Sequence, residues 1–331
     1  MKRDALRCLV ICQAGERMGL GHLMRSIVAA RSLQKFLNAE IQFLIQGDAV
    51  DPSILGGLTF EAISKDQDLG FALQKSAKFF DPDVMVMDLF GPWVPHNLSN
   101  KLKSFKGQVK LVAIDALDGC LSLLDLLFIP SFLQPKLSPQ GPKQTVYGWD
   151  CFLLNVQEPQ VKLTNEQRVL VLTGGSDTTG LGETWPTLLN HSLSKETLVD
   201  WVTGPYAEMP LFPSNPKLHF QNHVAPQGLG VLMRQASFAL TIYGVSFYEL
   251  LYLGVPTVVF SPYGDKDQRE LDAVHQQGIA LVAQDETHAI QLLTELMSNP
   301  VLANALSLKA QETLSKSGGQ RLALEIAKLL S

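Results

Sequence analysis

The stretch YGVSFYELLYLGVP, from Tyr243 to Pro256, decides the fold of this 331-residue chain. It follows the apolar run FALTI, which is typical of a buried strand, and Gly244 supplies the turn into a segment with helical spacing. The next apolar run, VPTVVF, begins where that helix ends. A strand, a turn, a helix and a second strand predict a βα unit of a parallel sheet.

The same alternation runs along the rest of the chain. In the first half the predicted strands are LRCLVIC, IQFLI, DVMVMD, VKLVAID and LLFIP, with helices at His22–Leu37 and Phe71–Phe79. After Thr164 the predicted strands are RVLVL, TLVDWV, FALTI, VPTVVF and IALVA. Helices are expected there near residues 182–191, 226–235, 246–253, 266–277 and 286–297. The pattern predicts an α/β protein with two successive parallel sheets.

Two Rossmann-like domains are therefore expected, at residues 1–155 and 165–315, with a hinge near 155–167. The final segment, 316–331, contains an amphipathic helix that is expected to pack back on the first domain. The carboxyl edges of the two sheets are expected to face each other across a cleft. The stretch at 130–144, rich in proline and glycine, reads as a loop or as the approach to the domain boundary.

Composition indicates a cytoplasmic globular protein that binds a small molecule. Hydrophobic residues make up 46% of the chain and charged residues 18%, and the net charge of −5 disfavours general binding to nucleic acid or anionic membranes. No run reaches the roughly 18 apolar residues of a membrane span. Cys8 and Cys12 lie in an apolar run and read as core thiols, so neither disulfides nor zinc are expected.

The first candidate site follows the first strand, at Gly19, Gly21, His22 and Arg25. The glycines permit a tight turn, and a histidine at a helix start can move a proton. Arg25 lies one helical turn later, where it meets either a phosphate or carboxylate of a substrate or a local acid. The motif differs from the dinucleotide fingerprint, because its third glycine is missing.

The second candidate site follows the first strand of the second half. Gly174 and Gly175 can expose backbone N–H groups to a phosphate, while Ser176 or Asp177 can cap the next helix instead.

The third candidate site lies in the opening stretch. Ser246 can cap its helix or donate to a phosphate, and Glu249 can complete a capping box or accept the two hydroxyls of a ribose. Asp267 and Gln268 belong to a charged loop after the next strand, which is expected at the same sheet edge as Gly244.

Together these motifs resemble those of a known family. They are GxGHxxR at 19–25, DxxG at 88–91, GGSD at 174–177, GxSxxExxxxGxP at 244–256 and DQ at 267–268. Their order and spacing resemble the nucleotide-sugar hydrolases of pseudaminic-acid synthesis and the related spore-coat polysaccharide proteins, the PseG/SpsG-like family. More distantly the chain resembles MurG-type glycosyltransferases, which have the GT-B arrangement of two facing Rossmann-like domains.

The resemblance implies a role for each matched residue. The second domain would hold the nucleotide, with diphosphate at Gly174, Gly175 and Ser246 and ribose at Glu249. Ser176 and Gly244 would also belong to the nucleotide-binding site. His22 would be the general base, and no metal or cofactor would be required. The remaining substrate contacts would come from the other motif positions, which are Gly19, Gly21, Arg25, Asp88, Phe90, Asp267 and Gln268.

Three positions depart from the hydrolase pattern, which has aspartate at Gln13, tyrosine at Phe90 and asparagine at Asp267. The leading hypothesis is a UDP-sugar hydrolase that acts in nonulosonic acid or surface polysaccharide synthesis. The departures at Phe90 and Asp267 favour the alternative, a GT-B glycosyltransferase with a UDP-sugar donor. A third hypothesis is a weakly catalytic subunit that binds a sugar nucleotide.

Overall fold

The computed structural model describes residues 5–15, 19–89, 91–136, 139–156 and 167–331. The chain divides into two compact units. The first unit contains Met1–Asn155 together with Lys316–Ser331, and the second contains Val156–Ser315. The end of the chain therefore belongs to the same unit as its beginning.

The described part of the first unit is built on a seven-stranded parallel sheet with the order β3-β2-β1-β4-β5-β6-β7. The central strand is buried along its whole length, because helices cover both sides of the sheet. The strands are β1 (Arg7–Ala14), β2 (Glu40–Gly47), β3 (Thr59–Ser64), β4 (Val84–Asp88), β5 (Lys110–Ile114), β6 (Leu126–Ile129) and β7 (Thr145–Tyr147).

In the second unit, residues 167–315 contain a six-stranded parallel sheet with the order β10-β9-β8-β11-β12-β13. Its strands are β8 (Arg168–Leu172), β9 (Leu198–Thr203), β10 (His219–Val224), β11 (Phe238–Ile242), β12 (Thr257–Phe260) and β13 (Leu281–Ala283). Both units thus have the doubly wound Rossmann-like order that was predicted.

Ten α-helices lie within the described residues, and they connect and cover the strands. They are α1 (Gly21–Leu37), α2 (Leu69–Phe80), α3 (Leu98–Lys103), α4 (Leu181–Ser192), α5 (Leu229–Gln235), α6 (Val245–Leu253), α7 (Gln268–Gln277), α8 (Glu286–Ser298), α9 (Pro300–Thr313) and α10 (Gly319–Leu330). None of the helices in these ranges is long and apolar enough to cross a membrane.

Every strand and helix predicted from the sequence is present, and the described residues contain three further strands and two further helices that were missed. The missed strands are β3, β7 and β10; β10 has the sequence HFQNHV, which carries no apolar run. Helix α9 did have a sequence signal, since Asn299 caps its first turn and Pro300 occupies its first position. Between β6 and β7, residues 130–136 and 139–144 contain no helix or strand, in agreement with the interpretation of this stretch as a loop.

The order of the strands reverses direction once in each sheet, and this decides where a site can form. In the first sheet the reversal lies between β1 and β4, and in the second it lies between β8 and β11. The connections that leave such a pair of strands run to opposite sides of the sheet, which opens a crevice at the carboxyl ends of the strands. The predicted motifs follow β1, β4, β8 and β11.

Helix α10 packs against α1 on one face of the first sheet. Leu322 and Ile326 enter the same hydrophobic cluster as Ile27 of α1. Gly319 is the contact with the least room, because a Cβ there would lie 2.9 Å from the Cβ of Ser32 and would overlap its hydroxyl. This close approach sets the distance between α10 and α1.

The Gly319 contact gives the first prediction. The variant Gly319→Ala should lower the free energy of unfolding of the first unit by about 1–3 kcal/mol, because the added methyl group overpacks the α1–α10 contact. The double variant with Ser32→Gly should recover most of that loss beyond the effect of Ser32→Gly alone. Denaturant unfolding of all four proteins measures the coupling, and strictly additive effects would contradict the packing argument.

Candidate functional site

The site in the first unit begins with the turn that follows β1. The backbone N–H of Gly19 donates to the carbonyl of Gly15 at 2.7 Å, and Gly19 has a φ of 69°, a conformation that glycine adopts without penalty. Helix α1 then begins at Gly21. The turn thus places His22 in the first turn of α1 and Arg25 one turn later.

Both of these side chains contact the carboxylate of Asp88, the last residue of β4. The Nδ1 atom of His22 lies 2.6 Å from Oδ1 of Asp88. The Arg25 guanidinium donates to both carboxylate oxygens, from Nη2 to Oδ1 at 2.7 Å and from Nε to Oδ2 at 3.0 Å. This geometry is possible because β1 and β4 are neighbours, with Cys12 opposite Asp88.

Burial makes this group of charges tightly coupled. The Asp88 side chain is 0% exposed, whereas those of His22 and Arg25 are 16% and 12% exposed. Burial alone would raise the pKa of Asp88, but attraction to Arg25 and then to His22 outweighs it and lowers the pKa. Burial alone would likewise lower the pKa of Arg25, but Asp88 and Asp115 outweigh it and raise the pKa.

The ionised carboxylate determines the tautomer of His22. A carboxylate 2.6 Å from Nδ1 accepts the Nδ1 proton, which leaves the lone pair of the neutral ring on Nε2. A carboxylate that orients an imidazole in this way prepares Nε2 to accept a proton from another molecule.

Arg25 also reaches a second acid, which sequence reasoning missed. Its Nη1 donates to Oδ2 of Asp115 at 3.1 Å, and Asp115 follows the end of β5. The sequence did hold a signal, because Asp115 closes a predicted strand and must lie at the same sheet edge as Asp88. The sequence left two alternatives for Arg25, and in the structure Arg25 pairs with local acids.

Gln13 has a structural role beside this site. Its amide is completely buried and donates to the side chain of Gln46 at 2.9 Å. Gln46 in turn donates to the carbonyl of Gln67 at 2.9 Å. An ionised aspartate at position 13 has no N–H group and could not donate this hydrogen bond to Gln46. The glutamine at position 13 is therefore needed for the contact with Gln46.

The GGSD motif of the second unit forms a tight loop after β8. Gly174 has a φ of 89°, and a Cβ on Gly204 would overlap the carbonyls of Gly174 and Gly175. The Asp177 carboxylate accepts from the backbone N–H groups of Leu181 at 3.0 Å and Gly182 at 2.7 Å. Asp177 therefore caps α4, as one of the two interpretations of this motif predicted.

The start of α6 differs from the prediction. The helix begins at Val245 with Gly244 as its N-cap residue, so Ser246 lies inside the first turn and the interpretation of Ser246 as the cap was wrong. The N-cap residue Gly244 has no side chain with which to cap α6, and apart from its chain neighbours no atom among the described residues lies within 4 Å of where a Cβ on Gly244 would be. Glu249 is buried on this helix, at 7% exposure.

The loop after β12 brings Asp267 and Gln268 into contacts with their own segment. Asp267 accepts a hydrogen bond from the hydroxyl of Ser261 at 2.7 Å, and Gln268 donates to Asp272 at 2.6 Å. The hydroxyls of Tyr263 and Thr178 lie 3.3 Å apart, which joins this loop to the one after β8. Phe90 lies outside the described residues.

The four cysteines of the chain are free thiols. All four thiols are buried, as predicted for Cys8 and Cys12. Burial raises the pKa of Cys120 to about 11 and that of Cys151 to about 12. Among the residues that the structure describes, no group of three or more histidine, cysteine, aspartate or glutamate side chains could hold a metal ion.

Comparison with known sequences identifies no family. No family model matches the chain. A protein of Methanocaldococcus jannaschii that is described only as uncharacterized is 22% identical over 298 residues, which cover 80% of this chain and 57% of that protein. The chain thus spans a little more than half the length of the curated relative that it matches.

Solved structures show the fold. MurG of Acinetobacter baumannii aligns over 97% of this chain and 99% of its own, with 14% identity and a TM-score of 0.64. Phytolacca americana UGT2 complexed with UDP-2-fluoro-glucose and pterostilbene aligns over 99% and 100%, with 13% identity and a TM-score of 0.66. The spinosyn rhamnosyltransferase SpnG complexed with thymidine diphosphate aligns over 98% and 100%, with 16% identity and a TM-score of 0.63.

These likenesses establish that the chain has the GT-B fold, with two Rossmann-like parallel-sheet domains. The predicted relationship to MurG-type glycosyltransferases is thereby confirmed at the level of fold. Membership of the hydrolase family that the motifs resemble stays a prediction.

The buried charges of the first site give the second prediction. The variant Asp88→Asn should lower the free energy of unfolding at pH 7 by about 3–5 kcal/mol, because the largely buried Arg25 loses its carboxylate partner. The folded-state pKa of Asp88 is lowered, so its carboxylate contributes stability above the unfolded pKa of about 3.9 and loses it as the pH falls further. The difference between the two proteins should therefore shrink below about pH 4.

A matched control is Asp150→Asn, because Asp150 pairs with Arg321 in the same unit but is 50% exposed. That variant should cost less than about 1 kcal/mol. Chemical unfolding between pH 3 and pH 8 measures all three proteins, and equal losses for the two variants would contradict the coupling inferred at Asp88.

Proposed function

We propose that this chain is an enzyme that cleaves a nucleoside-diphosphate sugar, UDP-linked, with His22 as the general base. The observation that carries the proposal is the hydrogen bond between Asp88 and His22 at the reversal point of the first sheet. A buried carboxylate that holds a partly exposed imidazole by Nδ1 is an arrangement suited to proton transfer at Nε2. The motifs around it resemble those of sugar-nucleotide hydrolases.

The nucleotide is assigned to the second unit, at the start of α6. In the first turn of α4 the backbone N–H groups of Leu181 and Gly182 already donate to the carboxylate of Asp177, so these donors are not available to a diphosphate. The first turn of α6 combines backbone N–H groups, the Ser246 hydroxyl and the open space at Gly244. Such a helix start favours an anion, so the diphosphate is placed there.

The other contacts follow from the same assignment. Gly174, Gly175 and Ser176 would present the loop after β8 to the diphosphate. Glu249 would accept hydrogen bonds from the ribose hydroxyls, and Gln268 would contact the sugar.

In the hydrolytic reaction, Nε2 of His22 takes a proton from water as the water oxygen forms its new bond. If the oxygen attacks the anomeric carbon, the bond between that carbon and the β-phosphate oxygen breaks and UDP leaves with both electrons. If the oxygen attacks the β-phosphorus, the bond between the phosphorus and the anomeric oxygen breaks instead. The sugar then leaves with that oxygen and both electrons, takes the proton back from His22 as a hydroxyl, and the water oxygen stays on UDP. Backbone N–H groups and the dipole of α6 stabilise the negative charge on the diphosphate.

A glycosyltransferase is the second candidate, and the solved structures favour it. UGT2 is recorded with both a UDP-sugar analogue and pterostilbene, and SpnG is a rhamnosyltransferase. In this chain the same His22 would take a proton from an acceptor hydroxyl rather than from water. The two candidates share the nucleotide site and the base, and differ in what attacks the sugar.

Isotope labelling separates the candidates and provides the third prediction. The purified chain is incubated with a panel of UDP-sugars in ¹⁸O-labelled water without acceptor, and UDP is followed by phosphorus NMR and the label by mass spectrometry. A hydrolase releases UDP over many turnovers with label in the sugar or the phosphate. Saturable binding without release would indicate the transferase or a weakly catalytic binding subunit.

The same assay tests the base. His22→Ala should slow UDP release by at least about 100-fold, because a general base contributes that much or more to the rate. Its affinity for UDP should remain within about twofold of the original. His219→Ala, at an exposed position on β10, is the control and should keep the full rate. If His22→Ala released UDP at the rate of the original protein, His22 would not be the general base.

The fourth prediction concerns the nucleotide site. Ser246→Ala should weaken UDP binding by about 5- to 10-fold through the loss of one charge-assisted hydrogen bond, while uridine binding stays unchanged. Glu249→Gln should weaken the binding of UDP and uridine alike, because it contacts the ribose. Titration calorimetry measures both ligands against each variant.

The thermal stability of Ser246→Ala should match that of the original protein, because Ser246 does not cap α6. Ser298→Ala, on α8, serves as the control and should leave both affinities unchanged. If Ser246→Ala bound UDP as tightly as the control does, the diphosphate would have to lie elsewhere.

A further inference from the structure

Two connections of the second unit flank the start of α6. In the sheet β11 lies between β8 and β12, so the connections at 173–180 and 261–267 stand on either side of the turn that leads from β11 into α6. The three strands are parallel, and all three connections therefore leave the sheet at the same edge. A contact between the two outer connections must reach across the carboxyl end of β11.

Thr178 and Tyr263 make such a contact. Their hydroxyl oxygens lie 3.3 Å apart, within hydrogen-bond distance. The connection after β8 also lies against β11 itself, because a Cβ on Gly174 would be 2.9 Å from the Cδ1 of Ile242, the last residue of that strand. The Thr178–Tyr263 pair thus forms a clasp across the carboxyl end of β11.

The turn between these two connections is open. Apart from its chain neighbours, Gly244 has no atom of the described residues within 4 Å of where its Cβ would be. The first turn of α6, which follows Gly244, is the position proposed above for the diphosphate. A diphosphate at that position would lie between the two connections that the clasp joins.

The clasp can open at little cost. It is one hydrogen bond between neutral hydroxyls, and both residues are exposed, so water can replace either partner. Glycines with positive φ lie beside both ends of the bond. Gly264, with a φ of 65°, follows Tyr263 directly, and Gly180, with a φ of 73°, lies two residues after Thr178. Glycine accepts backbone rotations that other residues resist, so both positions suit hinges.

We propose that the Thr178–Tyr263 clasp opens to admit the diphosphate end of the nucleotide to the start of α6 and closes again behind it. This inference rests on the proposed function and adds to it a conformational step inside the second unit. The same hydrogen bond is present before and after the nucleotide binds. The clasp therefore controls how fast the nucleotide enters and leaves, and has little effect on the equilibrium affinity.

The test removes each hydroxyl separately. Tyr263→Phe, Thr178→Val and the double variant are compared with the original chain, and surface plasmon resonance on the immobilised full chain measures the association and dissociation rates of UDP. Thr179→Val is the matched control for the threonine, because Thr179 is the exposed neighbour of Thr178. Tyr147→Phe is the control for the tyrosine, since Tyr147 is 40% exposed and belongs to the first unit.

Tyr263→Phe and Thr178→Val should each raise both rate constants by about 2- to 10-fold, which is the range expected for the net loss of one hydrogen bond. The Kd for UDP should stay within about twofold of the original value, because the two rates change together. The double variant should be no faster than either single variant, since both substitutions break the same bond. Both control variants should keep the original rates.

Contrary results distinguish the clasp from the nucleotide site. If UDP binds and the clasp variants keep the original rates, if the two substitutions have additive effects, or if the controls change equally, the inference is overturned and the nucleotide site stands. A variant that loses affinity for UDP would also overturn it, because the hydroxyl would then hold the diphosphate directly. If the original chain does not bind UDP, the proposed function fails and the inference fails with it.

Discussion

The buried carboxylate of Asp88 is the constraint on which the first site depends. A negative charge without exposure to water requires a cation and hydrogen-bond donors, and α1 supplies both from its first turns through Arg25 and His22. The helix can do so only because β4 lies beside β1 in the sheet. One electrostatic requirement therefore fixes the start of α1, the orientation of the imidazole and the direction of Arg25.

The alternation of strands and helices was readable from the sequence because parallel strands are buried on both faces. Runs such as LVIC and VMVM carry that signal directly. The edge strand β10 has exposed positions along its length, so its sequence lacks the run. The turn at Gly19 and the helix that carries His22 were also predictable, since glycine and a following amphipathic period mark them.

Pairing between distant residues was less readable, because it depends on the order of the strands. The sequence placed His22 and Asp88 in separate motifs, 66 positions apart, and only the neighbouring of β1 and β4 brings them together. The same holds for Arg25 and Asp115. The start of α6 shows a different limit, since a serine two residues after a glycine fits both a cap and a first-turn position.

Two helix starts in the second unit, those of α4 and α6, differ in what lies at their first turns. In the second unit α4 receives a carboxylate from Asp177, whereas the N-cap residue of α6 is Gly244, which has no side chain to offer. An acid at one helix start compensates the local dipole, while the other helix keeps its dipole available. This contrast, rather than the fold alone, makes α6 the candidate for an anion.

The membership of α10 in the first unit affects the order in which the protein is completed on the ribosome. The second unit is one continuous segment, Val156–Ser315, whereas the first needs both Met1–Asn155 and Lys316–Ser331. Helix α10 supplies Leu322, Ala323 and Ile326 to a core that the early part of the chain otherwise leaves partly uncovered. Although domains generally fold from the amino terminus onward, α10 can join the first unit only after the second unit has been synthesised.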